Sequence, residues 1–175
     1  MKVHIGCGPV TLNGWLNTDL DSPVAEQKVD ITQPLPYSTD SINFLYCEHV
    51  IEHIERVEAV SFLTEVFRVL SPGGVARFST PNLDVLVDAY IRGHISRYGQ
   101  MWQPATCCKM MNEGMRNWGH KFLYDANELL LIGQEAGFER SVFVPYRESL
   151  YRELCQLESR PFNGELIIEY TKWLK

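Results

Sequence analysis

Two glycines flanking a cysteine, Gly6-Cys7-Gly8, follow a short apolar segment at the start of the chain, and a carboxylate, Asp19, closes the next one. Glycines in such a turn carry no Cβ, so the backbone can approach a ligand closely. A carboxylate at the end of a second strand accepts hydrogen bonds from ribose hydroxyls. Together they lay out a nucleotide-type crevice. Only ten residues separate Gly8 from Asp19, whereas a dinucleotide fingerprint places its acid about 20 residues on, after a full helix. The first helix is therefore expected to be nearly absent. Asp30, Glu48 and Asn82 fall, with the glycine turn and Asp19, at the expected carboxyl ends of strands, where open parallel sheets bind their ligands.

A second group of reactive side chains lies in His49-Val50-Ile51-Glu52-His53. It spells the H-x-x-E-H arrangement of inverted zinc peptidases. On a helix, positions 49 and 53 share a face, and both imidazoles could grip one metal. The sequence shows no third ligand, so no metal is expected. Histidine also suits general-base work near neutral pH, and His120 and His49 are the candidates. His120 follows a stretch, 94–118, that has no clear period, is rich in Met and Trp, and holds Arg97, Lys109 and Arg116 against Glu113 alone. Irregular insertions of this length are often lids or binding loops. As a lid, this one would use Arg97, Lys109 and Arg116 to attract an anionic acceptor. Core filling, a homodimer contact and a solvated charged face remain open beside that reading.

The elements that must position these groups follow from periodicity. Val3 and Ile5 mark a first strand, Leu16 to Asp19 a second, and Ile42 to Cys47 a buried one. A helix from about Glu55 to Leu70 carries Val57, Val60, Leu63, Val66, Phe67 and Leu70 on one stripe and stops at Ser71-Pro72-Gly73-Gly74. Val75 to Thr80 is a strand closed by Pro81-Asn82, and Leu83 to about Arg92 a helix. A capping box at Asp125 to Glu128 opens a helix that ends at Gly137. A strand at Ser141 to Val144, a helical stretch near Arg147 to Leu157 and a last strand through Glu165 to Thr171 complete the chain. Strands alternating with helices predict a largely parallel sheet covered on both faces. The 175 residues, 45% hydrophobic and 22% charged, fit a single globular domain. A net charge of -6 argues against a nucleic-acid partner. Five cysteines without a Cys-x-x-Cys pair, and no signal peptide before them, point to reduced thiols in the cytoplasm. No apolar run approaches the roughly 18 residues of a membrane span.

Taken together, His4-Ile5-Gly6-Cys7-Gly8, Gly14-Trp15-Leu16-Asn17-Thr18-Asp19, Asp30-Ile31, Glu48-His49-Val50-Ile51-Glu52-His53, Glu65-x-x-Arg68-Val69-Leu70-Ser71-Pro72-Gly73-Gly74 and Pro81-Asn82 resemble the class I S-adenosylmethionine-dependent methyltransferases. They are most similar to a small group with a shortened first helix. The resemblance continues through Gly119-His120, Ala136-Gly137-Phe138, Ser159-Arg160 and Glu165 to Glu169, and leaves out 94–118. It implies a Rossmann-like three-layer sandwich whose seven-stranded, mostly parallel sheet has the order 3-2-1-4-5-7-6, with the last strand antiparallel and the first two crossover helices truncated. It implies S-adenosylmethionine as cofactor: Gly6, Cys7 and Gly8 around its methionyl part, Asp19 on the ribose, Asp30 and Ile31 at the adenine, and the backbone of Cys47 and Glu48 alongside. Pro9-Val10 stand where the family carries a third glycine.

The activity expected from the resemblance is methyl transfer to a small-molecule or saccharide acceptor at oxygen. Asn82, Arg97 and Arg116 are expected on the acceptor side, and His120 or His49 as base. Two rivals stand beside it: a non-catalytic, methyltransferase-like module that binds a nucleoside or a partner, and a metal-dependent hydrolase built on His49, Glu52 and His53.

Overall fold

Seven strands form one sheet in the computed structural model, which describes residues 1–96, 99 and 102–173. They are β1 (Lys2–Ile5), β2 (Leu16–Asp19), β3 (Gln27–Lys28), β4 (Ile42–Glu48), β5 (Leu70–Thr80), β6 (Arg140–Phe143) and β7 (Leu166–Thr171), in the order β3-β2-β1-β4-β5-β7-β6. β3 through β5 run parallel, and β7 is antiparallel to both neighbours. This is the order implied by the resemblance. Among the described residues no helix joins β1 to β2 or β2 to β3, so the first two crossovers are loops, as the short Gly8–Asp19 spacing requires.

Side chains alternate across a strand, and the two faces of β4 and β5 are covered differently. Leu45, Cys47, Ala76 and Phe78 face the main core, built with α1 (Arg56–Val69) and α4 (Ala126–Glu135). Glu55 opens α1 through a capping box with Glu58, and Asp125 caps α4 by accepting from the Glu128 amide at 2.7 Å. The buried stripe of α1 is Ala59, Phe62, Leu63, Val66 and Val69. The expected stripe is rotated by part of a turn, leaving Val57 at 70% exposure, because Phe62 is the ring that packs edge-on against Phe78 of the sheet.

On the other face, Tyr46 and Val75 pack with Trp15 and Leu154, flanked by Leu12, Phe44, Tyr151 and Leu157. The 146–158 segment thus occupies the space the missing crossover helices leave. It is not the expected helix: only a 3-10 turn, Arg152–Leu154, forms there, and Arg147 and Gln156 adopt positive φ. An ion network holds it. Fully buried Arg77 of β5 binds Glu158 at 2.6 Å, Glu169 of β7 at 2.7 Å and the Glu148 carbonyl at 2.8 Å.

The stretch 94–118 contains a helix that its sequence pattern did not announce. α3 (Cys107–Arg116) is capped by Thr106 and packs through Met110 on Leu86 and Ala89 of α2 (Leu83–Arg92). No helix among the described residues is long and apolar enough to cross a membrane.

Candidate active site

The end of β1 is shaped by two glycines. A Cβ on Gly6, whose φ is +69°, would lie 2.1 Å from Val50 Cγ2. Gly8 has φ +53° and open space where a Cβ would project, so its backbone is accessible to a ligand. Asp19 closes this loop from β2: Oδ2 accepts from the Gly8 amide, and Oδ1 from the Asp21 and Ser22 amides, each at 2.9 Å. Partial burial pushes the Asp19 carboxyl up, but these amides prevail and hold it below its ordinary value. A carboxylate offers about four lone-pair sites, and backbone amides of this loop take most of them.

At the next strand end, Asp30 Oδ1 is bound by the Thr32 amide and hydroxyl, and half-buried Ile31 packs on the core. The Cys7 and Cys47 thiols are buried. Burial pushes both upward, Cys47 well above its ordinary value. They can offer a ligand only backbone. The Glu48 carboxylate is occupied by the Ser159 amide and hydroxyl and the Arg160 amide; it ties the 159–160 segment to β4 and likewise leaves backbone. Gly6 to Gly8, Asp19, Asp30, Ile31, Cys47 and Glu48 therefore lie together at or just beyond the ends of the neighbouring strands β1, β2, β3 and β4.

Beyond the ends of β4 and β5 opens a cavity of about 620 Å³. His49 enters it with φ 53°, in a left-handed bend that stops β4. The next residues form a 3-10 turn, Ile51–His53. His49 and His53 therefore do not share a helix face, contrary to the helical expectation. His49 Nδ1 lies 3.1 Å from Oε1 of Glu52, a carboxylate with no exposure. The approach is off the line of a good hydrogen bond, and Oε1 has no aligned donor among the described residues. Oε2 accepts from the Thr80 hydroxyl at 3.1 Å. Burial acts to raise the Glu52 carboxyl; His49 acts to lower it and prevails.

The loop after α3 docks on the same turn, the Lys121 amide donating to the Glu52 carbonyl at 2.8 Å. It brings in His120, whose Nδ1 lies 2.9 Å from the Gly114 carbonyl. A carbonyl only accepts, so Nδ1 carries the proton, and in the neutral ring Nε2 keeps its lone pair. Trp118, at φ 59° and 58% exposed, stands beside His120 with ring centres 5.5 Å apart.

Of the residues expected on the acceptor side, Asn82 lines the cavity, its Oδ1 capping α2 through the Asp84 amide. Arg116 is exposed in the last turn of α3 and is not part of the wall. Arg97 lies outside the described residues. The positive charge at the wall comes instead from Arg160, with Asn163 and Glu165 beside it. Ser159-Arg160 belongs to the quoted resemblance, but no periodicity marked it as a wall.

A family model described as a methyltransferase domain matches residues 11–140. The chain belongs to the methyltransferase-domain family. Solved structures share the fold at low identity. A methyltransferase from Mesorhizobium loti described as S-adenosylmethionine dependent has 18% identity and a TM-score of 0.59, with 97% of this chain and 90% of that one covered. A SAM-dependent methyltransferase of Thermotoga maritima, described as a possible histamine N-methyltransferase, has 16% identity and a TM-score of 0.59, covering 98% and 81%. The CurJ carbon methyltransferase has 13% identity and a TM-score of 0.58, and the chain spans 48% of its length. A search of curated proteins finds no match.

This methyltransferase uses S-adenosylmethionine, and the strand-end cradle fits it. The family match displaces the peptidase reading.

Proposed function

We propose that this methyltransferase methylates a hydroxyl group of a small-molecule or saccharide acceptor held in the 620 Å³ cavity. The observation that carries the reading is the His49–Glu52 pair opening on that cavity next to the cofactor cradle. S-adenosylmethionine, when bound, supplies an electrophilic methyl group whose bond to sulfur breaks as the acceptor oxygen attacks. The protein's work is alignment and proton removal, the first supplied by positioning. Nδ1 of His49 faces the Glu52 carboxylate at 3.1 Å, so Nε2 is the ring nitrogen placed to take the hydroxyl proton. His120, whose Nδ1 faces the Gly114 carbonyl, is the second candidate base.

Trp118 offers a ring face to a sugar's apolar side, while Asn82, Asn163, Arg160 and Glu165 offer hydrogen bonds. The 94–118 stretch is part of the proposal as a roof: Trp102 and Gly114 of that stretch line the cavity. A cytoplasmic location belongs to it too, supported by five cysteines that are all unpaired.

The test is transfer of isotopic methyl label to a panel of hydroxyl, amine and carbon acceptors. Label on oxygen, with His49→Asn lowering kcat about 10²–10⁴-fold at unchanged cofactor affinity, is the expected outcome. Label on nitrogen or carbon, or an undiminished rate in His49→Asn, refutes the reading.

A further inference from the structure

We propose that Glu52, His53 and His120 form a site for one divalent metal ion of the zinc type, opening on the acceptor cavity. The sequence offers His49, Glu52 and His53 as neighbours, with 49 and 53 paired on a helix face; His120 is not joined to them there. The fold adds it, because the loop after α3 docks its Lys121 amide on the Glu52 carbonyl. One donor atom from each of the three residues then lies within 4.8 Å of the others. Bonds of about 2.0–2.2 Å around tetrahedral zinc place ligand atoms about 3.4 Å apart, so side-chain adjustment alone closes the site.

Three observations point to a ligand here. First, Glu52 is fully buried, and its Oε1 has no aligned donor among the described residues. A buried acceptor left unsatisfied is costly, and a cation satisfies it. Second, the His120 Nδ1–H bond to the Gly114 carbonyl is the outer-sphere contact that metal-binding histidines make; it leaves Nε2 as the donor. Third, two imidazoles and a carboxylate are a zinc-type donor set, and the adjoining 620 Å³ cavity leaves room for a fourth ligand.

The inference rests on the hydroxyl-acceptor reading and deepens it. An acceptor oxygen at the open position is polarised by the cation. Its O–H bond breaks, the proton passes to His49, and the oxygen's electron pair is freed for bond formation with the methyl carbon. The metal stays divalent and no redox partner is needed.

The test is a titration of the dialysed full chain with Co²⁺ and Zn²⁺, followed by visible absorption and calorimetry. One ion per chain with the absorption of tetrahedral cobalt is expected, and His53→Ala or His120→Ala weakens binding by at least about tenfold. His94→Ala, at an exposed histidine outside the group, leaves binding as in the parent chain. Glu52→Gln probes the third ligand where the variant folds; the two histidine variants, at half-buried positions, stand independently of it. No stoichiometric binding, or equal binding by His120→Ala, overturns the proposal. Binding of S-adenosylhomocysteine to the metal-free chain, measured separately, isolates the two readings: cofactor binding and hydroxyl methylation without metal binding sink the metal site alone.

Discussion

Replacing Gly6 by alanine is expected to remove about 2–5 kcal/mol of stability, from two separable sources. Holding an L-residue at φ +69° costs about 1–2 kcal/mol. The new Cβ also lands 2.1 Å from Val50 Cγ2, and relieving an overpacked contact of this kind costs about 1–3 kcal/mol. For a domain of ordinary stability, about 5–15 kcal/mol, the sum is a large fraction. With a urea slope of about 2 kcal/mol/M, the midpoint falls by about 1–2.5 M. The steric part can be isolated. In Gly6→Ala/Val50→Ala the offending Cγ2 is gone, and the nearest atom that remains is Val50 Cβ at 3.3 Å. Urea unfolding of the four proteins of the cycle should give a favourable coupling of about 1–3 kcal/mol, leaving the backbone cost in place. A loss below about 0.5 kcal/mol for Gly6→Ala, or a cycle without coupling, would refute the account of why this turn is glycine.

Arg77→Met leaves Glu158 and Glu169 buried without their cation, and a loss of about 3–5 kcal/mol is expected by chemical denaturation; a loss below about 1 kcal/mol contradicts the role given to the network. The Asp19 carboxyl titrates below its ordinary value in the folded chain. Its contribution is therefore present at neutral pH and is lost as pH falls through that lowered value. Asp19→Asn should lower stability at pH 7 and flatten the acid limb of stability below about pH 4, which thermal melts across pH will show. Trp118→Ala is expected to raise the acceptor KM about three- to tenfold with kcat nearly unchanged, since ring contacts contribute about 0.5–1.5 kcal/mol; steady-state kinetics with a saccharide acceptor checks it.

The strand ends that carry the cradle were legible from local signals, namely apolar runs, glycine turns and acids at fixed places, whereas the strand order followed from the family resemblance. The absent first helix was legible from the ten-residue gap alone. What stayed hidden depends on contacts distant in sequence. Arg147 to Leu157 looks helical, but Arg77 draws Glu158 into the sheet and the Arg147 amide binds the same carboxylate at 3.1 Å, so the segment lies down as a loop. α3 was obscured by Gly114 and by polar positions around Met110; Gly114 is needed because a Cβ there would lie 2.7 Å from Leu86. His49 and His53 read as helix neighbours, yet a left-handed residue at 49 breaks that register. His120 joins them only through the docking of its loop.

The cradle at Gly6 to Asp30 and the cavity beyond β4 and β5 are two compartments, and the account assigns cofactor to the first and acceptor to the second. A crystal structure of the chain with S-adenosylhomocysteine tests this most directly. The ribose is expected on Asp19, the adenine by Asp30 and Ile31, and the sulfur toward His49 at the cavity mouth. A nucleoside seated inside the 620 Å³ cavity against Trp118 and His120, with Asp19 uncontacted, would contradict it.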